Sequence, residues 1–280
     1  MRAGVELRLG TSLGFGFSTW LGFAALAATV TLVPLVPAQA EGAAKAVSAP
    51  VPCAAPSELV RLDVPLVRTA RRLAGGQPIT IVAIGSSSTQ GAGASSPAFS
   101  YPSRLLVELK ILFPRASINV INRGVGGETA TEMLARFDNE VIAEKPDVVV
   151  WQVGSNSVLF DQPLAPAGEL IRTGLRRLKA VGADVILMNP QYAPKVIAKR
   201  DADRMVDLID LMAKETSVDL FQRFALMRYW RLTENIPFET FLSPDELHMN
   251  DWSYACVAKV LAGAIAEAAT RATVTATAGR

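Results

Sequence analysis

The sequence predicts an α/β domain in which a parallel β-sheet carries helices on both faces. Three observations predict it. Four short apolar runs rich in Val and Ile recur along the chain, as strands buried on both faces do. Amphipathic stretches of helical period lie between them, the alternation of a parallel sheet with crossover helices. Half of the residues are hydrophobic and under a fifth are charged, a balance suited to a sizeable core.

The first forty residues stand apart. Arg2 and Arg8 precede an uncharged stretch, Thr11 to Val36, containing WLGFAALAATVTLVPLV. PAQAEG follows, and Ala38 and Ala40 give the small-x-small pattern of a signal-peptidase site. Residues 1–40 are read as an export signal cut after Ala40, leaving a periplasmic or secreted chain. The alternative is an uncleaved anchor, because the apolar run approaches the ~20 residues that span a bilayer. Gly14, Gly16, Gly22 and two prolines make it a poor permanent helix. No membrane contact is expected of the mature form unless the leader stays.

Residues 41–60, opening EGAAKAVSAPVPCAAP, are Ala/Pro-rich and read as a linker. Residues 61–268 suit one domain, and residues 269–280 read as a loose C-terminal tail. The only cysteines are Cys53 and Cys256. An even count in an oxidising compartment predicts a disulfide between them, closing a long loop with a model stabilisation of ~4–5 kcal/mol; the alternative is two unpaired thiols. The net charge of +2 includes no basic block, so no nucleic-acid partner is expected.

The predicted strands are ITIVAIG (79–85), SINVIN (117–122), DVVVWQVG (147–154) and ADVILMNP (183–190). The predicted helices are YPSRLLVELKILF, TATEMLARFDNEVIAEK, AGELIRTGLRRLKAVG, DADRMVDLIDLMAKET and NDWSYACVAKVLAGAIAEAA. In such sheets, sites form in the loops at the carboxyl ends of the strands. After the first strand comes GSSSTQGAGAS, which lacks the Gly-Lys-Ser/Thr of a P-loop, the third glycine of a dinucleotide fingerprint and the second glycine of a G-x-S-x-G elbow. What remains is a tight turn at Gly85 that presents serines near a helix start. After the second strand comes NRGVGGET, whose glycines expose backbone N–H groups and whose Thr129 or Glu128 starts the next helix. After the third comes GSNS, with the amide of Asn156. The fourth piece, DELH, precedes the last helix and holds the only histidine, His248.

Each cluster alone reads as ordinary turn chemistry. Together they supply what a hydroxyl nucleophile needs: a base, an orienting carboxylate and donors for an oxyanion. One histidine and two distant cysteines cannot make a typical zinc shell, and nothing calls for a cofactor.

The four segments, in this order, resemble the blocks of the SGNH hydrolase (GDSL esterase/lipase) superfamily. GSSST resembles its Gly-Asp-Ser-x-Thr block, NRGVGGET its glycine block, GSN its Gly-x-Asn block and DELH its Asp-x-x-His block. The resemblance implies a three-layer α/β/α sandwich, flavodoxin-like, and ester hydrolysis. It implies Ser87 as nucleophile, His248 as base and Asp245 as the orienting acid. It also implies an oxyanion hole from the Ser87 N–H, the Gly127 N–H and the Asn156 side chain. Two positions depart from the pattern: Ser86 stands where Asp is usual, so local loop hydrogen bonding must differ, and Ser157 stands where Asp often follows the asparagine. Three consecutive serines leave the choice of Ser87 to the alignment alone.

The expected function is therefore an exported serine esterase acting on short, acetyl-type esters, small molecules or glycans. The alternatives are an O-acyltransferase on the same scaffold and a non-catalytic glycan-binding descendant. Leu159, Phe160, Pro163, Met249 and Trp252 are candidates to line an acyl pocket, against the simpler alternative of ordinary packing.

Overall fold

The structure, a computed structural model, describes residues 52–278, with side chains through residue 272. The expected leader, residues 1–40, and the linker as far as residue 51 lie outside the described residues. Among the described residues no helix is long and apolar enough to cross a membrane.

Five strands form one parallel sheet: β1 Ile79–Gly85, β2 Ile118–Gly124, β3 Val148–Gln152, β4 Asp184–Met188 and β5 Asp219–Phe221. Their order, β2-β1-β3-β4-β5, is the doubly wound, flavodoxin-like order. β3, VVVWQ, is buried throughout, and β1 nearly so, as continuous apolar runs require. β2 differs from the sequence expectation. It is the edge strand, and its polar Asn119 and Asn122 are exposed. β5 went unseen in the sequence because three residues are too few to show a period.

The register brings the strand ends level. Gly85 pairs with Gly124, Ile84 with Trp151, Gln152 with Met188, and Met188 with Phe221. The chain leaves β1 toward β2 on one side and returns to β3 on the other, so the crevice at the carboxyl ends of β1 and β3 is the switch point where such sheets bind ligands.

The helices Tyr101–Leu112, Leu164–Ala180 and Ala202–Thr216 match the expected periods. The stretch predicted as a single helix over TATEMLARFDNEVIAEK breaks into Ala130–Ala135, Phe137–Glu140 and a 3₁₀ turn at Ile142–Glu144. The first break falls at Arg136 (φ −108°, ψ 3°), whose guanidinium turns back to Glu128 at 2.7 Å. Thr129 caps Ala130–Ala135 in a capping box with Glu132, so the helix start was legible.

Two boundaries move. Part of the expected linker is fixed: Cys53 is joined to Cys256, with Cα atoms 5.6 Å apart, the Trp230 indole N–H donates to the Ala54 carbonyl at 2.7 Å, and Ser57–Val60 is a helical turn. The segment after it is clamped beneath the sheet by carboxylates at three strand starts. Asp219 accepts from Val64 N–H at 2.8 Å; Asp184 accepts from the N–H groups of Arg68 (3.2 Å) and Thr69 (2.8 Å); Asp147 binds Arg68 and Arg72 at 2.7 and 2.9 Å. Asp184 thus caps the helix Val67–Ala74 from a remote strand, satisfying N–H groups that have no partner within the helix. At the other end the expected loose tail is a continuation of the helix Asp251–Ala278, and Ala269 and Ala272 are buried. Alanines at helical spacing read as low complexity in sequence but pack well against a neighbour.

Candidate active site

β1 ends at Gly85, where the chain turns so closely that an added Cβ would lie 2.1 Å from Thr89 Oγ1. Ser86 follows in extended conformation and Ser87 opens a short helix, Ser87–Gln90. The three serines separate cleanly. The Ser86 N–H and Oγ both donate to Gln152 Oε1, at 2.9 and 3.0 Å. Ser88 Oγ accepts from Arg223 at 2.9 Å. Both are buried, whereas Ser87 is half-buried, and its Oγ lies 2.8 Å from His248 Nε2. The other ring nitrogen, Nδ1, bonds Asp245 Oδ2. Serine, imidazole and carboxylate, drawn from two loops 161 residues apart, therefore form one chain of hydrogen bonds.

The histidine loop is held by its own carboxylate. Asp245 Oδ1 accepts from Ser243 Oγ (2.6 Å), Leu247 N–H (3.0 Å) and His248 N–H (2.9 Å). Burial alone would raise the Asp245 pKa; the bonds from Ser243, His248 and Leu247 outweigh it and hold the carboxyl well below the usual range. Asp245 is thus ionised wherever the protein works. Gly93, at φ +86°, makes room for this loop: a Cβ there would sit 2.4 Å from the Met249 carbonyl and 3.0 Å from His248 Cβ.

The glycine block lies beside the serine. A Cβ on Gly126 would be 3.8 Å from Ser87 Cβ, and Gly127 adopts φ +81° with open space around it. Glu128, paired with Arg136, fixes the far side of this loop, and Arg136 also donates to the Arg123 carbonyl at 2.7 Å. Asn156, buried in the helix Ser155–Leu159 after β3, donates Nδ2 to the Glu128 carbonyl at 2.8 Å and so ties the asparagine loop to the glycine loop. Ser87, Gly127, Asn156, Asp245 and His248, the five positions singled out in the sequence, lie in loops at one rim.

Gln152, Gln191 and Arg223 escaped the sequence reading. Gln152 supplies the loop hydrogen bonding that the exchange of Asp for Ser86 left open, and no local spacing links the two positions. Of the acyl-pocket candidates, Met249 is fully buried, Leu159 packs on the core, and the Trp252 ring sits edge-on to Trp230 at 5.0 Å. These three are packing residues; Phe160 is exposed. A cavity of about 490 Å³ abuts the histidine loop, lined by Gly93, Pro194, Phe238, Glu239, Leu242 and Glu246 among others. Among the described residues no group of three or more His, Cys, Asp or Glu side chains is arranged to hold a metal ion.

A model of the Non-GDSL lipase-like family matches residues 52–271. An acetylxylan esterase of Geobacillus stearothermophilus is 28% identical over 122 residues, covering 39% of this chain and 56% of that protein. An arylesterase of Vibrio mimicus is 27% identical over 107 residues, covering 38% of this chain and 53% of that protein. The chain spans a little over half the length of these curated relatives. Among solved structures, a two-domain esterase active on acetylated mannans superposes with a TM-score of 0.63 at 22% identity, over 74% of this chain and 55% of that one. A likeness at that identity speaks to the fold.

Proposed function

The chain belongs to the Non-GDSL lipase-like family, among the SGNH-like hydrolases, and from that premise we propose that it is an exported serine esterase that removes short acyl groups, acetyl above all, from carbohydrate hydroxyls. The observation that carries the reading is the 2.8 Å contact between Ser87 Oγ and His248 Nε2, with Asp245 on the opposite ring nitrogen.

In this mechanism His248 Nε2 takes the Ser87 proton as Oγ attacks the ester carbonyl carbon. Asp245 holds the proton on Nδ1, fixing the tautomer, and stabilises the imidazolium. The carbonyl π pair moves onto oxygen, and the Ser87 N–H, the Gly127 N–H and the Asn156 amide hold that oxyanion. Collapse breaks the bond to the alcohol, which leaves with the proton from His248. Water, deprotonated by the same imidazole, then attacks the acyl-Ser87 ester and releases the acid. The imidazole must be neutral at the start to accept the Ser87 proton, and Asp245, whose carboxyl is held well below the usual range, stays ionised.

Three findings support the substrate class and the compartment. One relative is an acetylxylan esterase, and a fold neighbour is an esterase active on acetylated mannans. The cavity beside the histidine loop is lined by Phe238, Glu239 and Glu246 among others, residue types suited to a sugar ring and its hydroxyls. The Cys53–Cys256 disulfide suits an oxidising, extracytoplasmic setting. The test is turnover of p-nitrophenyl acetate, butyrate and octanoate and of acetylated xylan by wild type and Ser87→Ala. Fastest turnover of acetate, deacetylation of the glycan and loss of both in the variant are expected. Wild-type rates in Ser87→Ala would end the nucleophile assignment.

A further inference from the structure

Arg223 opens the helix Arg223–Leu232 directly after β5 and is 0% exposed. A charge is costly to bury, and a hydrophobic side chain of similar volume would be cheaper there. Its guanidinium nevertheless donates to three uncharged acceptors: Nε to the Asn189 carbonyl at 3.1 Å, Nη1 to Ser88 Oγ at 2.9 Å and Nη2 to Gln191 Oε1 at 3.0 Å. Burial, opposed by the nearby Tyr101 and Tyr254, draws its pKa down only to about 10, so the group is a cation at neutral pH.

The partners of this pair follow a pattern. Ser88, held by Arg223, is the residue after Ser87. Ser155, whose Oγ donates to Gln191 Oε1 at 2.9 Å, is the residue before Asn156. Leu247, whose carbonyl accepts from Gln191 Nε2 at 3.2 Å, is the residue before His248. One buried arginine–glutamine pair therefore grips the chain neighbour of the nucleophile, of the amide donor and of the base. These stand on three separate loops, and β4 and β5 supply the grip.

We propose that Arg223 and Gln191 are positioning residues for acyl transfer: together they fix the mutual spacing of Ser87, Asn156 and His248, and the guanidinium lays a fixed positive charge behind the Ser87 turn, where the carbonyl oxygen becomes negative. The inference rests on the reading of Ser87 as nucleophile. Preorganised charge and spacing act on the transition state more than on the bound ester, so the effect belongs in kcat and not in KM.

The test measures kcat and KM for p-nitrophenyl acetate with the full chain carrying Arg223→Met, Arg223→Lys, Gln191→Met, the Met/Met double variant or Ser87→Ala. Near-ultraviolet circular dichroism and melting check the fold of each. Arg223→Met is expected to lose about 10²-fold in kcat, the scale of a small misplacement of reacting groups, with KM within about threefold. Lysine, which keeps the charge without the fork, should recover part of the loss. Gln191→Met should lower kcat roughly tenfold, and the double variant should fall no further than Arg223→Met, because the pair acts as a unit. A folded Arg223→Met with kcat within about threefold of wild type, a loss confined to KM, or losses that multiply in the double variant overturns the proposal. If Arg223→Met does not fold, Gln191→Met decides: lowered kcat at unchanged KM supports it, and wild-type kcat overturns it. Wild-type turnover in Ser87→Ala removes the underlying reading. Silence in Ser87→Ala with wild-type rates in Arg223→Met and Gln191→Met removes this inference alone.

Discussion

Asn156 spends one amide hydrogen on the Glu128 carbonyl, at 2.8 Å, and has a second to offer. That first bond restrains the amide, and in the proposed mechanism the second N–H is the one that meets the oxyanion. Such a restrained donor is worth more than one that must reorient, because its ordering precedes the reaction. Asn156→Ala is therefore expected to cost about 10²–10³ in kcat on p-nitrophenyl acetate, with KM little changed, measured beside a melting curve to show an intact fold. Unaltered kcat in that variant would remove Asn156 from the oxyanion site. At this scale the sequence was most informative where a residue type is scarce. A single histidine leaves no competitor for the base, and its Asp three positions earlier matches the bond now seen to Nδ1. It was least informative among Ser86, Ser87 and Ser88. They have the same chemistry, and only the partners Gln152, His248 and Arg223, each remote in sequence, tell them apart.

At the scale of elements, the two ends of the sheet do different work. The carboxyl ends of β1, β2 and β3 deliver the Ser87, Gly127 and Asn156 loops, while those of β4 and β5 deliver Gln191 and Arg223 behind them. The amino ends of β3, β4 and β5 carry Asp147, Asp184 and Asp219, which hold the segment from Val64 to Arg72. Asp219 stands out. Its Oδ2 is buried without a hydrogen-bond partner, and burial, with the neighbouring Asp63 adding to it against the Val64 N–H, pushes its pKa to about 7. Ordinary aspartate in the unfolded chain titrates near 3.9. Between those values the native state holds a proton that the unfolded state lacks, so this group makes stability fall as pH rises from about 4 to about 7; Asp184, also raised by burial, acts in the same direction. Asp219→Asn keeps the acceptor for Val64 and cannot ionise. Its melting temperature should drop less between pH 5 and pH 8 than that of wild type, with the variant the more stable of the two at pH 8. An unchanged pH dependence would show that Asp219 titrates normally. None of these aspartates announced a role in sequence, since an acid at a strand start reads as a solvated turn residue.

For the whole molecule, the fold was legible because β1, β3 and β4 are buried on both faces and so must be apolar along their length, whatever follows them. β5 was not, and the loss of that strand also concealed Arg223. An arginine opening an amphipathic helix reads as surface, and only the packing of five strand ends around one crevice buries it. The linker and tail were misjudged for a related reason: Ala- and Pro-rich composition describes a loose chain until a disulfide, an indole bond and a neighbouring surface give it partners. The four motif blocks did locate the rim, because parallel register makes all strand ends meet there. The claim on which the rest depends is that Ser87, activated by His248, is the atom acylated during turnover. The most direct measurement treats the protein with diethyl p-nitrophenyl phosphate and maps the modified residue by peptide mass spectrometry. One diethylphosphoryl group per chain, on Ser87 in the wild type and absent from His248→Ala over the same interval, is the expected result. Modification of Ser86 or Ser88 instead, or a fully inhibited enzyme with Ser87 unmodified, would contradict it.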